Sequence, residues 1–144
     1  MADKNAPNVV SFNPGEFVVR ERSAGDALYI IQEGQLEVYK TGAGGEKIPI
    51  ALVSSGQYVG EAAVLLGIQN MSNVVALSPV KAVKLPKAAI DAQLKAVPAW
   101  LIALTKGLIE RMHNANELMR KNGWVDESLA GRIQAVEEKF KKAE

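Results

Sequence analysis

The segment that organises this chain is residues 56–76, which read GQYVGEAAVLLGIQNMSNVVA. Gly56 and Gly60 enclose a short apolar pair, and the alanine-rich run at residues 61–66 predicts a short helix that ends at Gly67. β-Branched residues resume at the end of the segment and predict a strand. Strands are predicted before the segment and mainly helices after it, so it interrupts a sheet, and we expect a ligand site there.

Length and composition are those of a globular domain. The chain has 144 residues, 48% of them hydrophobic and 23% charged, which suits one folded domain. The formal net charge is +1, so we expect no bulk attraction to nucleic acid or to an anionic membrane. Cysteine is absent, the N-terminus has no signal-peptide pattern and no apolar run is long enough to span a bilayer, so we expect a cytoplasmic protein.

About eight short strands, separated by Gly, Pro, Asn and Ser turns, are predicted before the long helices. We therefore expect an α+β fold, a small antiparallel β-barrel or jelly roll followed by C-terminal helices. Residues 28–31 are expected to be buried on both faces, and the alternation over residues 35–40 predicts a strand with one face in water. The predicted boundaries are a loose arm over residues 1–11, the β-roll and long helix over 12–121, and a terminal amphipathic helix over 122–144.

Helical periodicity begins after the last predicted strand. A short helix over residues 88–96 and a long helix over residues 99–121 are predicted, and a final helix opens at Asp126. The long helix has an apolar stripe at Leu104, Leu108, Met112, Ala115 and Met119. The final helix has a narrower stripe at Leu129, Ile133, Val136 and Phe140. The narrow stripe needs a partner, either the body of the same chain or another chain.

Four segments together resemble a known family. They are FNPGE at residues 12–16, GDALYIIQEGQLEV at 25–38, GQYVGEAAVL at 56–65 and VVAL at 74–77. With this pattern the chain resembles the cyclic nucleotide-binding domain family, whose fold is shared by catabolite activator proteins, protein kinase A regulatory subunits and cyclic-nucleotide-gated channels. The resemblance covers about residues 12–120, and it implies the jelly-roll fold and a phosphate-binding cassette within the opening segment.

The resemblance also implies roles for particular residues. Glu61 would accept a hydrogen bond from the ribose 2′-hydroxyl, and an arginine that pairs with the cyclic phosphate would fall on Asn70 or Met71. Neither residue is basic, and no Lys or Arg occurs between Lys47 and Lys81. A charge-assisted bond to phosphate contributes about 1.5–3 kcal/mol, and a buried anion left unpaired costs more than that, so the loss of the arginine should weaken binding by roughly ten to several hundredfold. The candidate pocket residues are Val59, Gly60, Glu61, Ala62, Ala63, Asn70, Met71 and Ser72.

Two function classes stay open. The first is a sensor that binds cAMP, cGMP or a related nucleotide and repositions its C-terminal helices. The second, which we favour, is a degenerate domain in which nucleotide binding is weak or lost and which works through protein–protein interaction. Because the family's activator proteins pair through their long helices, we expect a homodimer through the stripe that includes Leu104 and Met119, with an unknown protein partner.

Several other functions are not expected. No acid–base pair, nucleophile arrangement or metal cluster is visible, so an enzyme, a metal site and a cofactor are not expected, and a cyclic nucleotide would act only as a regulatory ligand. The lone histidine, His113, is expected to be a solvated residue of the long helix. The chain after Gly123 provides one helix, too little for a helix-turn-helix, so we do not expect DNA binding.

Overall fold

The structure is a computed structural model and describes residues 6–141. Its eight strands are β1 (Asn8–Phe12), β2 (Phe17–Val19), β3 (Ala27–Glu33), β4 (Leu36–Thr41), β5 (Lys47–Val53), β6 (Tyr58–Val59), β7 (Asn73–Ala76) and β8 (Val80–Pro86). Its four helices are α1 (Glu61–Leu66), α2 (Lys87–Leu94), α3 (Ala99–Asn122) and α4 (Glu127–Lys141). In the described part of the chain, no helix combines the length and apolarity needed to cross a membrane.

The strands form two antiparallel sheets of four, in the orders β1-β8-β3-β6 and β2-β7-β4-β5. The predicted α+β jelly roll of about eight strands is therefore confirmed, but the sheets do not close into a barrel. Edge strands β2 and β6 have only three and two residues, which leaves no ladder to join the two sheets. The apolar core between the sheets consists of Val19, Ala27, Tyr29, Ile31, Leu36, Val53, Val59, Val74, Ala76, Val80 and Ala82.

The ordered fold begins earlier than the sequence predicted. Residues 8–11, which we expected to belong to a loose arm, form β1 together with Phe12. β1 pairs with β8 along its whole length, from Asn8 opposite Lys84 to Phe12 opposite Val80. β1 is an edge strand, so this ladder pairs one side of its backbone. No residue of β1 is fully buried, and hydrophobic patterning therefore missed it. Residues 1–5, the rest of the predicted arm, lie outside the described residues.

Burial along β3 and β4 also differs from the prediction. β3 alternates, with Ile30 exposed and Ile31 buried, so it is not buried on both faces. In β4 the expected wet face is wrong at Glu37, which is only 1% exposed, and Lys40 on the opposite face is also 1% exposed. Their positions are covered by helices that a strand pattern cannot anticipate, α4 on the outer side of the sheet and α3 on the inner side.

Helix α4 packs on its own chain. Its N-cap residue is Asp126, whose Oδ1 accepts hydrogen bonds from the backbone N–H groups of Ser128 and Leu129 at 3.0 and 3.2 Å. Leu129 and Ile133 are buried against Leu77, and Leu52 and Val136 pack around this cluster. Phe140, the last residue of the stripe, is half-buried. Of the two partners left open by the sequence, the stripe therefore contacts the body of the same chain.

Candidate ligand pocket

A cavity lies between the inner face of the second sheet, helix α1 and helix α3. All eight predicted pocket residues line it: Val59, Gly60, Glu61, Ala62, Ala63, Asn70, Met71 and Ser72. Its volume is about 160 Å³, below the roughly 300–1,000 Å³ of pockets that bury a drug-sized ligand. A ligand of that size therefore requires α3, or a side chain at the opening, to move.

Gly60 positions the first turn of α1 at the cavity wall. It is the N-cap residue and has φ 87° and ψ 1°, a left-handed conformation in which glycine is unstrained. A Cβ atom at this position would lie 2.7 Å from the carbonyl oxygen of Ala27 on β3. The close approach of α1 to β3 therefore depends on glycine, and it sets the direction in which Glu61 leaves the backbone.

Glu61 begins α1 and lines the cavity. Burial raises the pKa of this carboxyl, and a hydrogen bond from its own backbone N–H lowers it in part. Ala62 and Ala63 follow Glu61 in the cavity wall, where their small side chains let the backbone of α1 lie close to a ligand. Ala63 is buried against the loop before β3. The site thus offers a hydrogen-bond acceptor of the kind that a sugar hydroxyl needs.

Asn70 does not direct its side chain at an anion. Its Nδ2 donates to Oγ of Ser23 at 3.1 Å and to the carbonyl oxygen of Ala24 at 3.0 Å. Its backbone carbonyl accepts from the N–H of Arg22 at 2.7 Å, and its own N–H donates to the carbonyl of Ser23 at 2.9 Å. These hydrogen bonds of Asn70 therefore hold the loop between β2 and β3 against the cassette.

Lys40 is a functional candidate that the sequence reasoning missed. Its side chain reaches the cavity from β4, and its Nζ donates to the carbonyl oxygen of Met71 at 2.8 Å. The same nitrogen lies 3.2 Å from Oε2 of Glu117 on α3. No basic residue lies near Asn70 in sequence, but Lys40 reaches the cassette in space through its bond to Met71. Lys40 has the same strand parity as inward-facing Leu36, and this was the signal that could have placed it.

Glu117 is fixed between two cations. Nε of Arg120 lies 3.0 Å from each of its carboxylate oxygens, and Lys40 contacts it from the sheet. The hydrogen bond from Arg120 is the largest influence on its pKa, which is lowered, and the contact with Lys40 adds to this effect. Glu117 is therefore ionised, and its pair with Lys40 joins α3 to the edge of the pocket.

Helix α3 completes the cavity wall with Met112, His113 and Asn116. His113 is half-buried there, so the expected solvated histidine is wrong. Burial lowers its pKa, and the positive charge of Lys40 lowers it further, so its imidazole is neutral at pH 7. Sequence spacing could not show this, because the face of α3 that meets the sheets depends on the angle at which the helix crosses them.

The predicted stripe of α3 lies largely on the surface. Leu104, Leu108, Met112 and Ala115 are exposed, and Met119 is half-buried. Met112 also borders the cavity, so the stripe and the pocket are adjacent. Among residues 6–141 no group of three or more His, Cys, Asp or Glu side chains could hold a metal ion.

Comparisons with known proteins agree on one family. The family model described as cyclic nucleotide-binding domain matches residues 9–96. Over 87 residues the chain is 36% identical to a cAMP-dependent protein kinase regulatory subunit of Yarrowia lipolytica, and the match covers 60% of this chain and 22% of that protein. The solved structure of the EAL enzyme Bd1971 in its cAMP-bound form is similar, with TM-score 0.70 and 25% identity over 76% of this chain and 29% of that one.

A second solved structure is a regulatory subunit of a cAMP-independent protein kinase A from Trypanosoma cruzi bound to guanosine. It has TM-score 0.66 and 27% identity, and the match covers 82% of this chain and 40% of that one. The chain spans about a fifth of the length of the first curated relatives it matches, 22% and 19%. Since the family model covers more than half of the chain, this protein belongs to the cyclic nucleotide-binding domain family.

Proposed function

We propose that this chain is a non-enzymatic regulatory module that binds cyclic nucleotides weakly or not at all and acts through protein–protein contacts. The observation that supports this proposal is the hydrogen bonding of Asn70, one of the two residues, with Met71, on which the family resemblance places an arginine. Its amide donates to the loop at residues 23–24, at 3.0–3.4 Å. It therefore contributes no charge to the pocket and is held by bonds that stabilise the fold.

The ion pair of Lys40 supports the same proposal. Lys40 is the basic side chain in the described cavity wall, but its ammonium group already contacts Glu117 and the carbonyl oxygen of Met71. A cyclic phosphate would have to displace Glu117 before it gained that charge. A charge-assisted bond contributes about 1.5–3 kcal/mol, and its absence weakens binding by roughly ten to a hundredfold.

The relative from Trypanosoma cruzi gives independent support. It is described as cAMP-independent and is bound to guanosine, and it is 27% identical to this chain. A domain of this fold thus serves a kinase regulatory subunit that does not depend on cAMP. We extend this to the present chain, whose output would pass through contacts of α3 with a second copy and with a protein partner.

The amino-acid composition is relevant to the cellular location of the module and to its partner. The chain has no cysteine and a formal net charge of +1, which favours a cytoplasmic location and a partner other than nucleic acid or membrane. The exposed side chains Leu104, Leu108 and Met112 give α3 an apolar surface suited to a second copy. We propose a homodimer through this surface.

A genuine cAMP or cGMP sensor is the second candidate, and Lys40 is the observation in its favour. If a cyclic phosphate displaced Glu117 from Lys40, the ion pair between β4 and α3 would break. Helix α3 would then be free to take a new position, which is a way to transmit binding to a partner. The two candidates therefore differ in whether a cyclic nucleotide can break the pair between Lys40 and Glu117.

Isothermal titration calorimetry with cAMP and cGMP separates the candidates. We expect weak or no binding by the wild type and stronger binding by Asn70→Arg or Met71→Arg, because either change returns a cation to the cassette. Asn114→Arg is the matched control, since Asn114 is exposed on α3 and does not line the cavity. Low-micromolar binding by the wild type would reject the proposal and establish the sensor.

A further inference from the structure

Few charges line the pocket. Within the described residues, the wall has one basic side chain, Lys40, and one carboxylate, Glu61. Tyr58 and His113 also line the wall, and the pKa of His113 is lowered mainly by burial, so its imidazole is neutral at pH 7. The electrostatics of the pocket therefore depend on whether the charge of Lys40 is available to a ligand.

The charge of Lys40 is already paired within the protein. Its Nζ donates to the carbonyl oxygen of Met71 in the cavity wall at 2.8 Å. The same nitrogen lies 3.2 Å from Oε2 of Glu117, a residue that does not line this cavity. Arg120 holds both oxygens of Glu117 at 3.0 Å, which fixes the carboxylate in place. The positive charge is thus neutralised by the protein before a ligand enters.

Glu61 is the remaining charged residue of the cavity wall. An anion in the cavity would meet this carboxylate without a free cation to offset the repulsion and the cost of leaving water. A nucleoside has no anionic group, and its ribose hydroxyls are donors that a carboxylate accepts. The Ser72 hydroxyl and the Asn116 amide, both on the wall, add neutral hydrogen-bonding groups for a sugar or a base.

We propose that the pocket selects an uncharged nucleoside over the corresponding cyclic nucleotide, because Glu117 neutralises Lys40. This inference rests on the proposed function, since it takes the pocket to be poor in available positive charge. It goes further in naming the ligand class and the residue pair that sets it. Glu117 pairs with Lys40 in place of the phosphate of a cyclic nucleotide. Removal of the Glu117 carboxylate therefore makes Lys40 available to a phosphate.

Calorimetry on the full chain with two matched ligand pairs tests the inference. The pairs are adenosine with cAMP and guanosine with cGMP, and the measured quantity is the ratio of the two affinities within a pair. For at least one pair we expect the wild type to bind the nucleoside more tightly by about tenfold or more, which corresponds to about 1.4 kcal/mol. A cyclic nucleotide that binds as tightly as its nucleoside in both pairs overturns the inference.

Two variants test the residue pair. In Glu117→Gln we expect cyclic-nucleotide affinity to rise by about tenfold or more while nucleoside affinity is unchanged, because only an anion uses the freed ammonium group. Glu110→Gln is the matched control, since Glu110 is exposed on α3 and does not line the pocket. An affinity ratio that is the same in Glu117→Gln as in the wild type overturns the inference.

Lys40→Met tests the same point from the other side. A nucleoside that does not use the ammonium group should keep its affinity within about threefold, and a loss of about tenfold or more overturns the inference. Circular dichroism melting curves identify folded variants, and Lys40→Met decides the question alone if Glu117→Gln does not fold. No binding of either nucleoside at millimolar concentration overturns this inference, whereas low-micromolar wild-type binding of cAMP or cGMP is the result that rejects the proposed function.

Discussion

The ammonium nitrogen of Lys47 lies 2.7 Å from Oε2 of Glu37, whose side chain is 1% exposed. The two residues belong to neighbouring strands, β5 and β4, and Lys47 is 46% exposed. Glu37 lies on the side of the sheet that α4 covers, near Glu137 of that helix. Lys47 thus compensates a carboxylate that the docking of α4 removes from water.

The pKa of Glu37 reflects this burial. Desolvation raises it above its ordinary value of 4.5, Lys47 lowers it through a hydrogen bond and its charge, and Glu137 raises it again. A carboxyl whose pKa is raised in the folded state holds its proton more strongly there than in the unfolded chain. Its contribution to stability is therefore present below 4.5 and is lost as the pH rises through the folded-state pKa.

We predict that Lys47→Met destabilises the protein in a pH-dependent way. Without Lys47 the buried carboxylate has lost its cation, and the free energy of unfolding should fall by about 1–3 kcal/mol at pH 7. The pKa of Glu37 should rise further, so the loss should be smaller near pH 5, where more of the carboxyl is protonated. Urea unfolding at the two pH values measures both effects.

Lys81→Met is the control for this prediction, because Lys81 is exposed on β8. It should change the free energy of unfolding by less than about 0.5 kcal/mol at either pH. An equal loss for Lys47→Met at both pH values would show that Glu37 does not titrate differently when the cation is absent.

Local chemistry made most of the fold predictable. Turn residues such as Gly15 and Gly34, both with positive φ, separate strands at the places that the sequence indicated. Gly67 ends α1 and Gly123 ends α3 in the left-handed conformation that the C-cap signal implies. The candidate pocket residues came instead from the family resemblance, whose cassette lies within one short segment of the sequence.

The missed features depend on contacts between distant segments. Lys40 and Met71 are 31 residues apart, yet the ammonium group of one binds the carbonyl oxygen of the other. The burial of Glu37 depends on α4, which docks from the far end of the chain. A single sequence shows the parity of a strand residue, but not which helix covers each face of the sheet.

We predict that Gly60→Ala costs more stability than Gly56→Ala. Both glycines have φ 87°, but a Cβ at Gly60 would lie 2.7 Å from the carbonyl oxygen of Ala27, whereas a Cβ at Gly56 would meet nothing within 4 Å. The backbone strain is shared, so the difference isolates the clash, and we expect about 1–3 kcal/mol. Urea unfolding measures it, and equal losses for the two variants would mean that α1 moves away from β3 without cost.

We predict that Ile133→Ala destabilises the fold of the individual chain. Ile133 is buried with Leu129 and Leu77 between α4 and the sheet, and truncating a buried isoleucine costs about 2–5 kcal/mol. Arg132→Ala is the control, because Arg132 is exposed on the same turn of α4. Urea unfolding measures the loss, and light scattering should give the same mass as the wild type. A changed mass with unchanged stability would show that the stripe of α4 joins two chains.

We predict that Leu108→Glu converts a homodimer into a monomer that keeps its fold. Leu108 is 55% exposed and Leu104 is 52% exposed on one face of α3, so a carboxylate there would be desolvated in a dimer but hydrated in a monomer. Lys106→Glu is the control, because this substitution introduces the same side chain and Lys106 is exposed on a different face of the helix. Light scattering should give twice the chain mass for the wild type and the control and the single mass for Leu108→Glu, with equal circular dichroism. A monomeric wild type at high micromolar concentration would contradict the proposed homodimer.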